Sequence, residues 1–307
     1  MGVRAVSLAV LVAAGLHGPV HAVSFSFTTV AGDTLTAGQA AAFSAAAAEW
    51  SAVLSDPVEV RLSIGFRDLG MTAGGATILG GASPTLRFAR YGDYRAALIA
   101  DQSGGADAAA VGTLELAGPS ADAVLTSAQA RAAGLSTLVA SDATIELTTR
   151  VTFAETRAAL TGSSYDLIGV AAHEIGHVLG FFSSIDIGSA MRSGLDLFRY
   201  SGAGARSFGA GQAAFLSGDG GASSLGPLSV GGSGQYQASH WLQGAGGLMD
   251  PAVALGTAQF ITARDIAALD LVGWDVAVGD VSVPGPASAG VLLAALGMLG
   301  WRRAGTQ

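Results

Sequence analysis

Five consecutive residues limit what this chain can become: His173-Glu174-Ile175-Gly176-His177, inside the run from Ser163 to Gly180. On a helix, residues four apart share one face, so both imidazoles can bind a single metal ion. Glu174 follows the first of them and projects towards the same open side, where it can hold and deprotonate a water. The flanks predict the helix. Ser163 and Asp166 have the S-x-x-D spacing of a capping box, Leu167, Ile168, Ala171, Ile175 and Leu179 form a core-facing stripe, and Gly180 is placed to end the helix. Histidine is scarce. His17 and His21 fall in a segment that reads as a cleaved leader, which leaves His173, His177 and His240.

A catalytic zinc takes three protein ligands and keeps one position for water. The extended pattern H-E-x-x-H-x-x-G-x-x-H would place the third histidine at position 183, which here is a serine, a poor ligand. The nearest carboxylate is Asp186. The last histidine is His240, in the stretch Ala238 to Pro251. The set His173, Glu174, His177 and Gly180, with Ser239-His240-Trp241 and then Leu248-Met249 and Pro251, resembles the leishmanolysin-like branch of the metzincin zinc proteases. The resemblance covers the active-site helix, the Ser-His-Trp segment and the turn after it. The N-terminal third agrees only in general pattern, and leishmanolysin's disulfides cannot form in a chain without cysteine.

That resemblance implies that His240 completes the ligand set, with Asp186 as the alternative, and that Met249 is the Met-turn residue packed beneath the metal. It implies an α+β zincin fold: an N-terminal twisted sheet with helices and the active-site helix, then a less regular Gly-rich subdomain holding the Met-turn and a final helix. The implied cofactor is one zinc per chain, and the implied partner is a protein or peptide substrate. Tyr236, four residues before His240, is either a packed tyrosine or an oxyanion donor.

Composition narrows the function classes. The chain has 307 residues, half of them hydrophobic and only 12% charged, with a formal net charge of −8 and no lysine. Nothing basic enough for nucleic acid appears. Without cysteine there are no thiolate metal sites either. Residues 1–22 read as a secretory signal peptide, with Arg4, an apolar run from Ala5 to Leu16, and small residues at the cleavage site after Ala22. A catalytic domain is expected over 23–282. Val23 to Val30 suggests an edge strand. Thr36 and Gln39 open an alanine-rich helix to about Leu54, and Val58 to Arg67 alternates as a half-buried strand.

Gly74-Gly75 and Gly80-Gly81 read as loops, with helices near 91–101 and 128–133, and Ala143 to Phe153 reads as one strand. The insertion 184–239 is Gly/Ser-rich, with short strands near 195–200 and 214–216. It is either a flap bordering the cleft or a surface excursion. Calcium at Asp219 is not expected, because an oxygen cage needs several carboxylates. Thr262 and Asp265 cap a final helix ending at Gly273. Asp265 and Asp270 are read as solvated helix charges, with orientation of a ligand histidine as the alternative.

Residues 283–307 combine Pro284-Gly-Pro286, an apolar run to Trp301, and Arg302-Arg303. This resembles the PEP-CTERM sorting tail, except that Gly285 stands where that motif has glutamate. The resemblance implies an exosortase-type sorting machinery, transient association with the inner membrane, and export across the inner membrane of a Gram-negative bacterium to the cell surface, the extracellular matrix or the medium. The expected function is therefore an exported zinc endopeptidase with Glu174 as general base. The alternatives are an envelope or matrix protein that keeps a zincin fold without significant protease activity, and a zinc hydrolase of non-peptide substrates.

Overall fold

Strand β1 (Ser24–Thr29) and strand β2 (Glu59–Arg67) pair in parallel, joined by the crossover helix α1 (Ala37–Ser51). These assignments come from a computed structural model that describes residues 22–103, 105–232 and 236–277. The leader read at 1–22 lies, apart from Ala22, outside the described residues, and so does the tail read at 283–307. Helix α1 starts as its sequence predicts: Thr36 Oγ1 accepts from Gln39 N at 3.0 Å, and Gln39 Oε1 accepts from Thr36 N at 2.9 Å. It ends at Ser51, three residues before Leu54, and passes through a turn towards Asp56.

The chain continues through β3 (Gly80–Pro84), β4 (Leu86–Arg90), α2 (Tyr91–Ala100), α3 (Gly105–Gly112), β5 (Asp122–Thr126), α4 (Ser127–Ala132) and β6 (Ala143–Thr148). The first sheet has the order β1-β2-β6-β3, with β3 antiparallel to β6 and the other pairs parallel. Two expectations are corrected here. Strand β6 stops at Thr148, bends through Arg150 and lies inside the sheet. The edge opposite β1 belongs to β3, the Gly80-Gly81 segment read as a loop. Strand β3 has little β-propensity of its own and owes its conformation to pairing with β6. Pro84, which has no N–H to give a ladder, suits an edge strand.

After β7 (Phe153–Ala154) and β8 (Tyr165–Asp166) comes α5 (Leu167–Leu179), the metal-motif helix. Its N-cap is Asp166 alone, whose Oδ1 accepts from Ile168 N at 3.1 Å, so Ser163 does not form the predicted capping box. Arg157 fixes that cap: its Nε reaches Asp166 Oδ2 at 3.1 Å while its Nη2 donates to the Gln259 carbonyl at 2.7 Å. All five stripe residues are buried, and so are Gly169, Val170, Ala172, Gly176 and Val178, which makes α5 a central helix rather than an amphipathic surface one. Helix α1 packs along it, and β3 lies beside it. Trp50 Nε1 donates to the Ala172 carbonyl at 2.9 Å, and Trp274 Nε1 donates to the Leu179 carbonyl at 2.6 Å, so indoles from both ends of the domain satisfy buried groups of α5.

The rest of the chain is β9 (Arg192–Ser193), β10 (Arg199–Gly202), β11 (Ala205–Arg206), β12 (Ala214–Leu216), β13 (Gly226–Leu228) and α6 (Ala263–Leu271). Strand β9 joins β4 and β5 in a second sheet, and β11-β10-β12-β13 form a third, antiparallel one. The 195–200 segment is a 3₁₀ turn over Leu195–Phe198, with strand only from Arg199. Helix α6 carries the capping box expected between Thr262 and Asp265. The molecule is thus of mixed α+β class, and among the described residues no helix is long and apolar enough to cross a membrane.

Candidate metal centre

Helix α5 presents His173 and His177 on one face, with Nε2 atoms 3.1 Å apart, and His240 brings its Nε2 to 3.3 Å from that of His173. The outer nitrogens decide what these contacts mean. His173 Nδ1 lies 2.8 Å from the Leu248 carbonyl, and His177 Nδ1 lies 2.8 Å from the Phe181 carbonyl. A carbonyl only accepts, so each Nδ1 carries the hydrogen and each Nε2 is a bare lone pair in the neutral ring. His240 Nδ1 stands 3.3 Å from the Gln237 carbonyl, in the same sense.

Burial pushes all three histidines down, His177 to about 3, and their mutual proximity lowers His177 and His240 further. Three neutral rings therefore point lone pairs at one spot, an arrangement with no hydrogen to share between them. A cation resolves it. Three imidazole nitrogens bonded tetrahedrally at ~2.0–2.1 Å stand about 3.3 Å apart, which matches the observed spacing. The His173, His177 and His240 group could hold a metal ion.

Glu174 faces the sheet side of the same site. It is 6% exposed, and burial pushes its carboxyl up to about 8, held back by a hydrogen bond from the Ala82 N–H of β3. Gly80 makes room for it: a Cβ there would stand 2.6 Å from Glu174 Oε1 and 2.7 Å from Leu147 Cδ2. Just outside the ends of β3, the Leu79 carbonyl accepts from Thr148 N and Thr85 N donates to the Asp142 carbonyl, so Gly80, Ala82 and Pro84 turn their backbone polar groups to the open edge, where the Ala82 N–H meets Glu174.

Against helix α5, at Gly176, lies Met249, fully buried. A Cβ on Gly176 would meet its Sδ at 2.5 Å, so the mid-helix glycine, about 1 kcal/mol poorer than alanine for helix formation, allows the turn to press against α5. Gly180, at φ +123°, ends the helix and lets Phe181 reverse direction.

The remaining sequence candidates divide. Asp186 is not among the converging groups; its carboxylate accepts from Ala238 N at 2.6 Å and from Ser239 N at 2.9 Å. Tyr236 is 45% exposed, against the packed reading. Asp219 closes its own turn by accepting from Ser223 N and Ser217 Oγ.

Asp265, read as a solvated charge, is fully buried. It accepts from Trp241 Nε1 at 2.7 Å, Leu248 N at 2.9 Å and Met249 N at 3.3 Å, and so holds the peptide whose carbonyl orients His173. Its capping-box spacing signalled a helix start, but nothing in sequence pointed to the turn it grips. Asp270 does not reach the histidines; burial pushes it up to about 8, with Asp107 beside it.

No protein-family model, no curated protein and no solved structure matches this chain.

Proposed function

We propose that the chain is a zinc-dependent endopeptidase of metzincin type, exported from the cell. The observation that carries the reading is the convergence of three imidazole lone pairs beside a buried carboxylate. Three neutral nitrogens with tetrahedral spacing suit zinc better than the oxygen-seeking ions. The buried methionine against α5 and the central helix beside an edge strand are the parts expected of a zincin.

Bound there, zinc would act as a Lewis acid and make a water acidic near neutral pH. The chain's own groups do the rest. The carbonyls of Leu248, Phe181 and Gln237 fix the ring orientations. Glu174 accepts the water proton at its carboxylate and returns it to the leaving amine; a divalent ion held by the three histidines would lower its pKa and keep it ionised. The open edge of β3 offers backbone groups to an extended peptide, which would add as a further strand next to Glu174. The exposed Tyr236 is free to approach the scissile carbonyl as a donor.

The test is hydrolysis of an unfolded protein by the zinc-loaded protein and by Glu174→Ala. Cleavage by the first alone supports the proposal. Zinc bound one per chain, with esters or simple amides cleaved and protein untouched, would replace it with a non-peptide hydrolase. Zinc bound with no hydrolysis of any kind would leave a matrix or envelope protein on a zincin frame.

A further inference from the structure

His240 is the ligand candidate with the least local support. It lies on a turn, not a helix, and its Nδ1 contact at 3.3 Å is the longest of the three. The chain between His177 and His240 runs through a second sheet and a third before it returns. Closing so long a loop on one geometry costs entropy unless its ends are tied together.

The tie is visible. Asp186, just after α5, meets the segment ending in Ser239, which is 53 residues further on. Asp186 Oδ1 accepts from Ala238 N at 2.6 Å, and Oδ2 accepts from Ser239 N at 2.9 Å and from Ser239 Oγ at 2.5 Å. Ser239 Oγ then accepts from Ser183 N at 2.8 Å. On the other side of His240, its carbonyl accepts from Ser229 N at 2.9 Å, and Trp241 N donates to the Met249 carbonyl at 3.0 Å. The two peptide N–H groups ahead of His240, those of Ala238 and Ser239, are therefore fixed by one carboxylate, and the peptide after it by backbone bonds.

We infer that Asp186 is the positioning residue of the third ligand: its carboxylate closes the 187–237 excursion as a stem and sets His240 within reach of His173 and His177. The inference rests on the three histidines forming one metal centre. It also turns the rival ligand of the sequence reading into the group that places the chosen one. Strand β13 of the excursion meets the far side of His240, where Leu228 bridges to Trp241 and Ser229 N donates to the His240 carbonyl, so Asp186 holds the near side alone.

The experiment compares wild type, Asp186→Asn, His240→Ala and the double variant, each full-length. It measures zinc affinity by competition with a chelator, the visible spectrum of the cobalt-loaded proteins, and the melting of the zinc-free forms. Asn keeps the shape but loses an acceptor. Asp186→Asn should weaken zinc binding by about 10–100-fold, the usual range for groups that orient a ligand. Its cobalt spectrum should move towards that of His240→Ala, and the double variant should bind no more weakly than His240→Ala. If Asp186→Asn does not fold, Ser239→Ala, which leaves the carboxylate in place, should show the same non-additivity with a smaller loss. Wild-type affinity and spectrum in Asp186→Asn, or a loss that adds in full to that of His240→Ala, overturns the role of Asp186 alone. Unchanged zinc binding in His240→Ala overturns the three-histidine centre, and the inference with it.

Discussion

His173 and His177 stand one turn apart on a buried helix, and each is oriented by a carbonyl at 2.8 Å. His240 stands on a turn at the end of a long excursion, just after Ala238 and Ser239, whose backbone N–H groups are held by Asp186. The helix side of the centre is placed by local geometry, since a 3.6-residue period brings i and i+4 together wherever the helix forms. The loop side is placed by hydrogen bonds between residues far apart in sequence. A histidine of the first kind tolerates changes elsewhere in the protein, while one of the second kind depends on a few distant acceptors.

The largest expected effect tests whether the helix side carries the chemistry. Glu174→Gln should keep its zinc and lose about 10²–10⁴-fold in turnover, the range for a removed general base, as read by peptide hydrolysis beside a zinc assay. A fully active variant would sink the mechanism.

The comparison sharpens further in the ligands themselves. His177→Ala should abolish tight zinc binding, whereas His240→Ala should leave weak binding by the preformed helix pair. Equal residual affinity in the two would mean that the helix confers no advantage.

Asp265→Asn attacks the loop side from beneath. It turns one of the two acceptor oxygens into an NH2 donor, so either the Oδ1 pair, Trp241 and Met249, or the Oδ2 pair, Leu248 and Thr262, loses its acceptor in a buried network, and urea unfolding should show a loss of about 2–4 kcal/mol. A change under 0.5 kcal/mol would show that the Met249 turn stands without it.

Gly176→Ala sets helix propensity against packing. The helix alone would gain about 1 kcal/mol. The contact with Met249 Sδ should reverse the sign and give a net loss of about 1–3 kcal/mol. A stabilised variant would mean that Met249 moves aside freely.

The smallest effect lies away from the centre, where Asp56, Asp101 and Asp275 cluster between the turn after α1, the end of α2 and the chain after α6. Burial raises Asp56 to about 7 and Asp101 to about 6, with Asp275 adding to both, and burial with Asp107 raises Asp270 to about 8. Carboxylates whose folded pKa is raised stabilise the fold fully below about pH 4, and that contribution is lost as pH climbs through 6 to 8. Asp270→Asn should therefore raise the melting temperature by a few degrees at pH 8.5 and change nothing near pH 4. The opposite pH dependence would mean that these acids are stabilised by partners in their charged form.

How much of this could be read without the fold follows from the same contrast. The H-E-x-x-H spacing, the caps at Thr36 and Thr262 and the alternation of β2 are short-range patterns, and each emerged where its residues predict it. Strand β3 did not, because Gly80-Gly81-Ala-Ser-Pro84 carries no strand signal and is extended only by pairing with β6. Asp265 looked like a surface helix charge because its partners Trp241, Leu248 and Met249 lie 16 to 24 residues away. Asp186 stayed open as the alternative to His240 because its closeness to Ala238 in space cannot be counted along the chain.

The amino-acid sequence by itself determined the metal-motif helix, its two histidines and the carboxylate beside them, since one helical turn is enough to assemble those. His240 was named by resemblance only; tertiary structure brought it beside them, made β3 the open edge beside Glu174, and set Asp186 and Asp265 to grip the two loops of the site. Those placements depend on contacts that exist only once distant segments are packed together, and the period of a helix or strand carries no information about them.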